Sequence, residues 1–184
     1  MDKIYISAQQ LLESSFRLAS LVYEDGFRPD FIVGVWRGGT PVGIAVQEYF
    51  EYRNVNTDHI AVRTRSYTGI DEQSSEIHVH GLHYLVENAN AEDSLLIVDD
   101  VFDSGRSIEA LLNEIRRQSR NNTPADIRVA CAWYKPGRRK VALEPDYFVH
   151  ENNEWLVFPH ELHGLTREEI SKGKSDLSQI IDLF

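Results

Sequence analysis

The sequence is poor in sulfur. Cys131 is its only cysteine, so no internal disulfide can close, and a reducing, cytoplasmic location is the expectation. No run of residues approaches the ~20 consecutive apolar positions needed to cross a bilayer. The opening Met1-Asp2-Lys3-Ile4-Tyr5 lacks the apolar core of a secretion signal, so no membrane association is expected. Positive charge is also scarce: 19 Lys and Arg stand against 29 Asp and Glu, a formal net charge of −10. That balance argues against binding a nucleic acid polymer through its phosphates, but leaves room for a small anion held by backbone donors. The spacing of His78, His80 and His83 matches no closed zinc pattern, and a solvated hairpin is the plainer reading. No repeat, low-complexity stretch or linker divides the 184 residues, so one domain, 1–184, is expected, with 42% apolar residues to build its core.

What the chain does have is a chemically dense segment at 95–107. Leu95-Leu96-Ile97-Val98 reads as a buried strand of a parallel sheet. Asp99 and Asp100 follow where the strand should end. Asp103, Ser104, Gly105, Arg106 and Ser107 form a short loop, and Ile108, Leu111, Leu112 and Ile115 then recur at helical spacing. A helix N-terminus with exposed N–H groups, a glycine and two serine hydroxyls suits a phosphate. The flanking acids suit sugar hydroxyls and Mg²⁺.

A second such unit lies upstream. Residues 31–35 are an apolar strand, Arg37-Gly38-Gly39 a glycine loop, and Val42, Ile44, Ala45, Val46 and Tyr49 a helical pattern with Thr40 expected as N-cap and Pro41 in first position. Both loops fall where strands end, the usual ligand edge of an open α/β sheet. Elsewhere, Ser7 with Gln10 forms a capping box for a helix ended by Gly26 and Pro29, and residues 59–63 read as a strand. Residues 64–80 read as a polar loop without periodicity, and residues 127–133 and 146–150 as strands. Arg138-Arg139-Lys140 reads as a solvated basic face, Glu154–Pro159 as a short core strand, and residues 166–184 as a helical tail opened by Thr166 and Glu169. Alternating strands and helices imply a three-layer α/β fold with a mainly parallel sheet flanked by helices.

The pattern Asp99-Asp100-x-x-Asp103-Ser104-Gly105-x-Ser107 resembles the motif by which type I phosphoribosyltransferases bind 5-phosphoribosyl 1-pyrophosphate (PRPP), with Ser104 and Ser107 where threonines usually stand. Arg37-Gly38-Gly39 resembles the family's pyrophosphate loop, which implies that the Trp36–Arg37 peptide is cis. Ser66-Tyr67 matches a flexible lid. Lys135 in Trp-Tyr-Lys-Pro-Gly and Trp155 in Glu-Trp-Leu-Val-Phe-Pro are similar to the 6-oxopurine branch, the hypoxanthine and xanthine-guanine enzymes. The likeness spans about residues 31–161.

The resemblance implies the family fold with a small hood, and PRPP and a 6-oxopurine base as substrates. Asp99 and Asp100 would hold ribose hydroxyls and Mg²⁺, and residues 103–107 the 5′-phosphate. Arg37, Gly38 and Gly39 would hold the leaving pyrophosphate. Asp103 would be the general base, Lys135 the donor to the 6-oxo group, Trp155 the stacking partner, and Leu156 with its neighbour Val157 the contact at the 2-position edge. Glu161, preceded by His160, is the nearest acid to the place where relatives hold a second Mg²⁺. Relatives are mostly dimers or tetramers, which implies a homo-oligomer. A non-catalytic sensor of PRPP or nucleotides with the same fold, and a transferase for another acceptor, stay open at this point; the acidic balance and the presence of Asp103, Lys135 and Trp155 favour the enzyme. The choice among hypoxanthine, guanine and xanthine is not legible.

Overall fold

The computed structural model describes residues 3–68 and 75–183. Strand β2 (Phe31–Trp36) is buried on both faces as far as Val35, and so are the first positions of β5 (Ser94–Phe102) after Ser94. These apolar runs pair in parallel at the centre of a six-stranded sheet. Outward from β2 lie β3 (Asp58–Thr68), parallel, and β4 (Ser75–His80), antiparallel; outward from β5 lie β6 (Asp126–Tyr134) and β7 (Tyr147–Glu151), both parallel.

Helices cover both faces. On one, α1 (Ala8–Glu24) and α2 (Gly39–Tyr52) bury Leu11, Leu18, Val22, Val42, Val46 and Phe50 against Leu96 and Val98. On the other, α3 (His83–Asn88) and α4 (Arg106–Ser119) bury Leu85, Ile108, Leu111, Leu112 and Ile115 against Leu95 and Ile97. Alternate side chains of one strand thus feed two cores, which gives the expected three layers. The Ser7–Gln10 capping box is formed, and Gly26 at φ +86° follows the end of α1.

Four expectations need correction. The helix after the first glycine loop starts at Gly39 with Gly38 as its cap, not Thr40, whose buried hydroxyl has no partner among the described residues. The strand at 95–98 continues through Asp99 and Asp100 to Phe102 because β6 keeps pairing with it out to Tyr134. Much of the presumed polar loop 64–80 is instead the arms of a hairpin, β3 running on to Thr68 and β4 returning from Ser75; cross-strand pairing with β4 overrides the missing alternation. The segment 155–157 does not join the core sheet: β8 (Trp155–Val157) pairs in parallel with β1 (Lys3–Tyr5) in a separate two-stranded sheet. With α5 (Arg167–Gly173), opened by the expected Thr166–Glu169 capping box, this forms the hood.

His78 and His80 lie on the hairpin strand β4, and His83, on α3, sits 3.2 Å from Glu87. Cys131 is fully buried and its thiol is pushed up by burial, so it stays an unreactive core residue. No helix among the described residues is long and apolar enough to cross a membrane.

The start of α2 presses on β5. A Cβ added at Gly39 would lie 2.4 Å from the Val98 carbonyl oxygen and 2.9 Å from Asp99 Cα, both main-chain atoms that cannot yield locally. Gly39→Ala is therefore expected to destabilise the fold by about 1–3 kcal/mol, read as a lowered unfolding midpoint in urea; an unchanged midpoint would mean that the two loops are not packed this way.

Candidate active site

Two carboxylates meet two glycines where β5 passes the start of α2. A Cβ added at Gly38 would lie 1.9 Å from Asp100 Oδ2, and one at Gly39 would lie 3.0 Å from Asp99 Oδ1. Only residues without a side chain allow the loop 37–39 and the acids to share this space. Asp99 Oδ1 accepts the Asp100 N–H at 3.0 Å and Asp100 Oδ1 the Val101 N–H at 2.8 Å. Burial, and next the adjacent Asp100 charge, push the Asp99 carboxyl well above the ordinary carboxylate range. Asp100 is 7% exposed, and its Oδ2 lies 3.3 Å from His160 Nε2. The His160 ring stacks on Phe158, and its buried Nδ1 has no partner among the described residues. Arg37 is exposed beside these groups, and the Trp36–Arg37 peptide is cis, as expected.

The second loop turns on Gly105, at φ +78°. There a Cβ would strike Val141 Cγ2 at 2.4 Å and the Phe102 ring at 2.7 Å. This residue caps α4, whose first amides point out of the helix end. Ser104 Oγ lies 3.4 Å from the Arg106 N–H, and Ser107 occupies the first turn. The serine hydroxyls and the first amides of α4 thus offer donors suited to an anion.

Asp103 faces the other way. Its Oδ2 lies 3.3 Å from Lys135 Nζ and its Oδ1 accepts from Arg138 Nε at 2.9 Å. The main chain ties the same two segments together: Lys135 N–H donates to the Phe102 carbonyl at 2.9 Å and Lys140 N–H to the Ser104 carbonyl at 3.0 Å. Arg138, with its side chain half exposed, is thus paired with Asp103 and lines the adjacent cavity, so it is more than a solvated basic residue. The only sequence signal for it was its place in the basic run after Lys135-Pro136-Gly137.

Beside this pair lies a cavity of 580 Å³ lined by Val101, Asp103, Lys135, Arg138, Trp155, Leu156, Phe158 and Glu161. Lys135 is only 6% exposed, whereas Trp155 is 54% exposed, with the Lys3 ammonium 5.7 Å from its ring centroid. Glu161 lines this cavity and its Oε2 accepts the Phe158 N–H at 3.0 Å. It does not join Asp99 and Asp100 in a three-ligand metal cluster; among the described residues there is none. The backbone of Ser66 and Tyr67 lies in β3, opposite Ile77 and Glu76. The rest of the proposed lid, 69–74, lies outside the described residues.

A profile of the phosphoribosyl transferase domain matches residues 4–164. The chain belongs to the phosphoribosyltransferase family. It is similar to a hypoxanthine-guanine phosphoribosyltransferase of Lactococcus lactis, 26% identical over 149 residues, 80% of this chain and 75% of that protein. Among solved structures, the purine phosphoribosyltransferase of Pyrococcus horikoshii matches with a TM-score of 0.71 and 27% identity, over 90% of this chain and 99% of the other. The xanthine-guanine-hypoxanthine phosphoribosyltransferase of Helicobacter pylori matches in fold, with a TM-score of 0.68 and 18% identity over 97% and 99%. The central sheet carries both loops at one edge, and Trp155 reaches the neighbouring cavity from the separate two-stranded sheet.

Asp99 is held at a cost in the free protein, because its charge is recessed beside that of Asp100. Asp99→Asn keeps the acceptor for Asp100 N–H and removes that repulsion. The variant is expected to gain about 1 kcal/mol, raising Tm by about 2–4 °C, while losing stabilisation by added PRPP and Mg²⁺. A lowered Tm would contradict an uncompensated charge at this position.

Proposed function

We propose that the chain transfers the 5-phosphoribosyl group from PRPP to a 6-oxopurine (hypoxanthine, guanine or xanthine), releasing pyrophosphate. The observation that carries this reading is the single cavity shared by Lys135, Asp103 and Trp155 beside the anion cradle of α4. An entering base stacks on the exposed Trp155 ring, worth about 1–3 kcal/mol. Lys135 Nζ donates to the 6-oxygen, a charge-assisted bond that the amino group of adenine cannot accept. Main chain at Leu156 and Val157 meets the 2-position edge. When Lys135 turns to the base, Asp103 Oδ2 is left to accept the N–H proton of the purine. The purine nitrogen then forms its bond to C1′ as the C1′–O bond breaks, and pyrophosphate leaves with the electron pair.

The chain's other groups hold the charges apart. The loop 103–107 keeps the 5′-phosphate, with donors from Ser104, Arg106, Ser107 and the α4 amides. Arg37 and the main chain of Gly38 and Gly39 keep the diphosphate. Asp99 and Asp100 fit Mg²⁺, a hard cation that binds through one or two carboxylates and completes its shell with water and substrate oxygens rather than a closed protein cage. When bound, it offsets the diphosphate charge and engages the ribose hydroxyls. Glu161, whose Oε2 accepts the Phe158 N–H, would be the carboxylate for a second ion. Ser66 and Tyr67 belong to the segment that excludes water. The location is cytoplasmic, in keeping with a single, buried cysteine. Self-association as a homo-oligomer uses the groove where Ile44, 60% exposed on α2, lies beside Ile60 and Ala61.

Pyrophosphate release measured with PRPP, Mg²⁺ and each of hypoxanthine, guanine, xanthine and adenine tests the assignment. Turnover with at least one 6-oxopurine and little with adenine is expected. PRPP or nucleotide binding without turnover of any base would point to a sensor of the same fold instead. Two variants test the roles. Lys135→Met should raise KM for the base by about tenfold or more and leave KM for PRPP nearly unchanged; equal rises would reject its contact with the 6-oxygen. Asp103→Asn should lower kcat by about 10²–10⁴-fold, and an unchanged kcat would reject it as the base.

A further inference from the structure

The wall of the base cavity depends on residues beyond the part of the chain that matches the family. That match stops at 164. Ten positions on, at the end of α5, Lys174 is 6% exposed. Its Nζ donates to the Phe158 carbonyl at 2.6 Å and to the Pro159 carbonyl at 3.2 Å. Among the described residues no carboxylate is bonded to it. A buried ammonium whose hydrogen bonds go to two consecutive main-chain carbonyls is costly to keep, and it fixes backbone rather than neutralising a charge. Burial lowers its pKa, while Glu161 and Asp176 oppose that shift.

The tail that carries Lys174 is anchored independently. Glu169 closes the capping box of α5 and pairs with Lys3 at 2.5 Å. Gly173 lies against the Tyr5 ring so closely that a Cβ would be 2.4 Å from Cε1. Asp176 Oδ2 accepts the Ala8 N–H at 3.3 Å, at the positive end of α1. Lys3 and Tyr5 belong to β1, whose register sets Lys3 opposite Trp155 and Tyr5 opposite Val157, and Ile6 N–H donates to the Val157 carbonyl at 2.9 Å. The tail therefore holds the segment 155–161 at both ends, through β1 on one side and through Lys174 on the other. That segment supplies Trp155, Leu156, Phe158 and Glu161 to the cavity.

We infer that Lys174 is a positioning residue for the base site: by binding the Phe158 and Pro159 carbonyls it sets the wall against which the purine rests, without touching substrate. The inference rests on the 6-oxopurine reading. It predicts a larger effect on the base than on PRPP, because the segment supplies four residues to the cavity and meets the PRPP side mainly through His160 Nε2, 3.3 Å from Asp100 Oδ2.

The test is steady-state kinetics on the full chain, with the 6-oxopurine that the wild type uses best and with PRPP. Lys174→Met keeps the stem and removes the donors; KM for the base is expected to rise about tenfold and KM for PRPP to change less than about twofold. Lys174→Arg keeps the donors, and the 390 Å³ cavity bordered by Tyr5, Lys174 and Asp176 has room for a guanidinium, so most of the base affinity should return. An unchanged base KM in Lys174→Met, parallel rises for base and PRPP, or no recovery with arginine would overturn the inference. If the methionine variant does not fold, Asp176→Ala loosens the tail and leaves Lys174 in place; its base KM should rise about threefold with PRPP unaffected, and an unchanged base KM overturns the inference equally. A wild type that turns over no 6-oxopurine rejects the functional reading as well, whereas an active wild type with a silent variant rejects the positioning role alone.

Discussion

The carboxylate of Asp103 is held between Lys135 at 3.3 Å and Arg138 at 2.9 Å, and the rest of the site follows from that contact. Asp103 opens the loop 103–107, while Lys135 and Arg138 line the adjacent cavity, so one ion pair joins the proposed sugar-phosphate site to the proposed base site. Deleting one partner of a buried pair costs about 3–5 kcal/mol; here the cost is smaller, because the Asp103 side chain is 36% exposed and partly screened. The pair is strong enough to orient both groups and open enough for a base to separate them. The main-chain bonds from Lys135 to Phe102 and from Lys140 to Ser104 keep the two segments in register while the side chains exchange partners.

The sheet explains why the site is here. Strand order 4-3-2-5-6-7 reverses direction between β2 and β5, and ligands of open α/β sheets bind beyond the carboxyl ends of strands at such a point. β2 delivers Arg37, Gly38 and Gly39; its neighbour β5 delivers Asp99, Asp100 and the loop to Ser107; β6 delivers Lys135. Close packing then restricts the residues allowed. Gly39 must lie against the Val98 carbonyl and Gly38 against Asp100, so the loop 37–39 is fitted to the end of β5. Burial, and next the charge of Asp100, push the Asp99 carboxyl well above the ordinary carboxylate range, and a cation beside it would favour the ionised form.

The two strand–loop–helix units were legible from sequence because each is contiguous: an apolar run, a polar loop and a 3.6-residue pattern fall within about 25 residues. The hood was not. Lys3, Ile4 and Tyr5 are too few to show a period, and their partners Trp155, Leu156 and Val157 lie at the other end of the chain. Arg138 was hidden for a related reason, since its partner Asp103 is 35 positions away and a basic run reads the same whether solvated or paired. Lys174 lies in a polar stretch where nothing local signals burial. Thr40 looked like a helix cap because its type and the following Pro41 fit one, but the approach of two glycines to β5 starts the helix earlier. In each case a contact between distant segments decided the outcome.

A crystal structure of the protein with a 6-oxopurine nucleoside 5′-monophosphate bound tests the central claim most directly. The expected result is Lys135 Nζ withdrawn from Asp103 and lying within about 3.2 Å of the 6-oxygen, with the base on Trp155 and the phosphate on residues 103–107. A nucleotide bound with the Lys135–Asp103 pair intact and its base outside the Trp155 cavity would contradict the account.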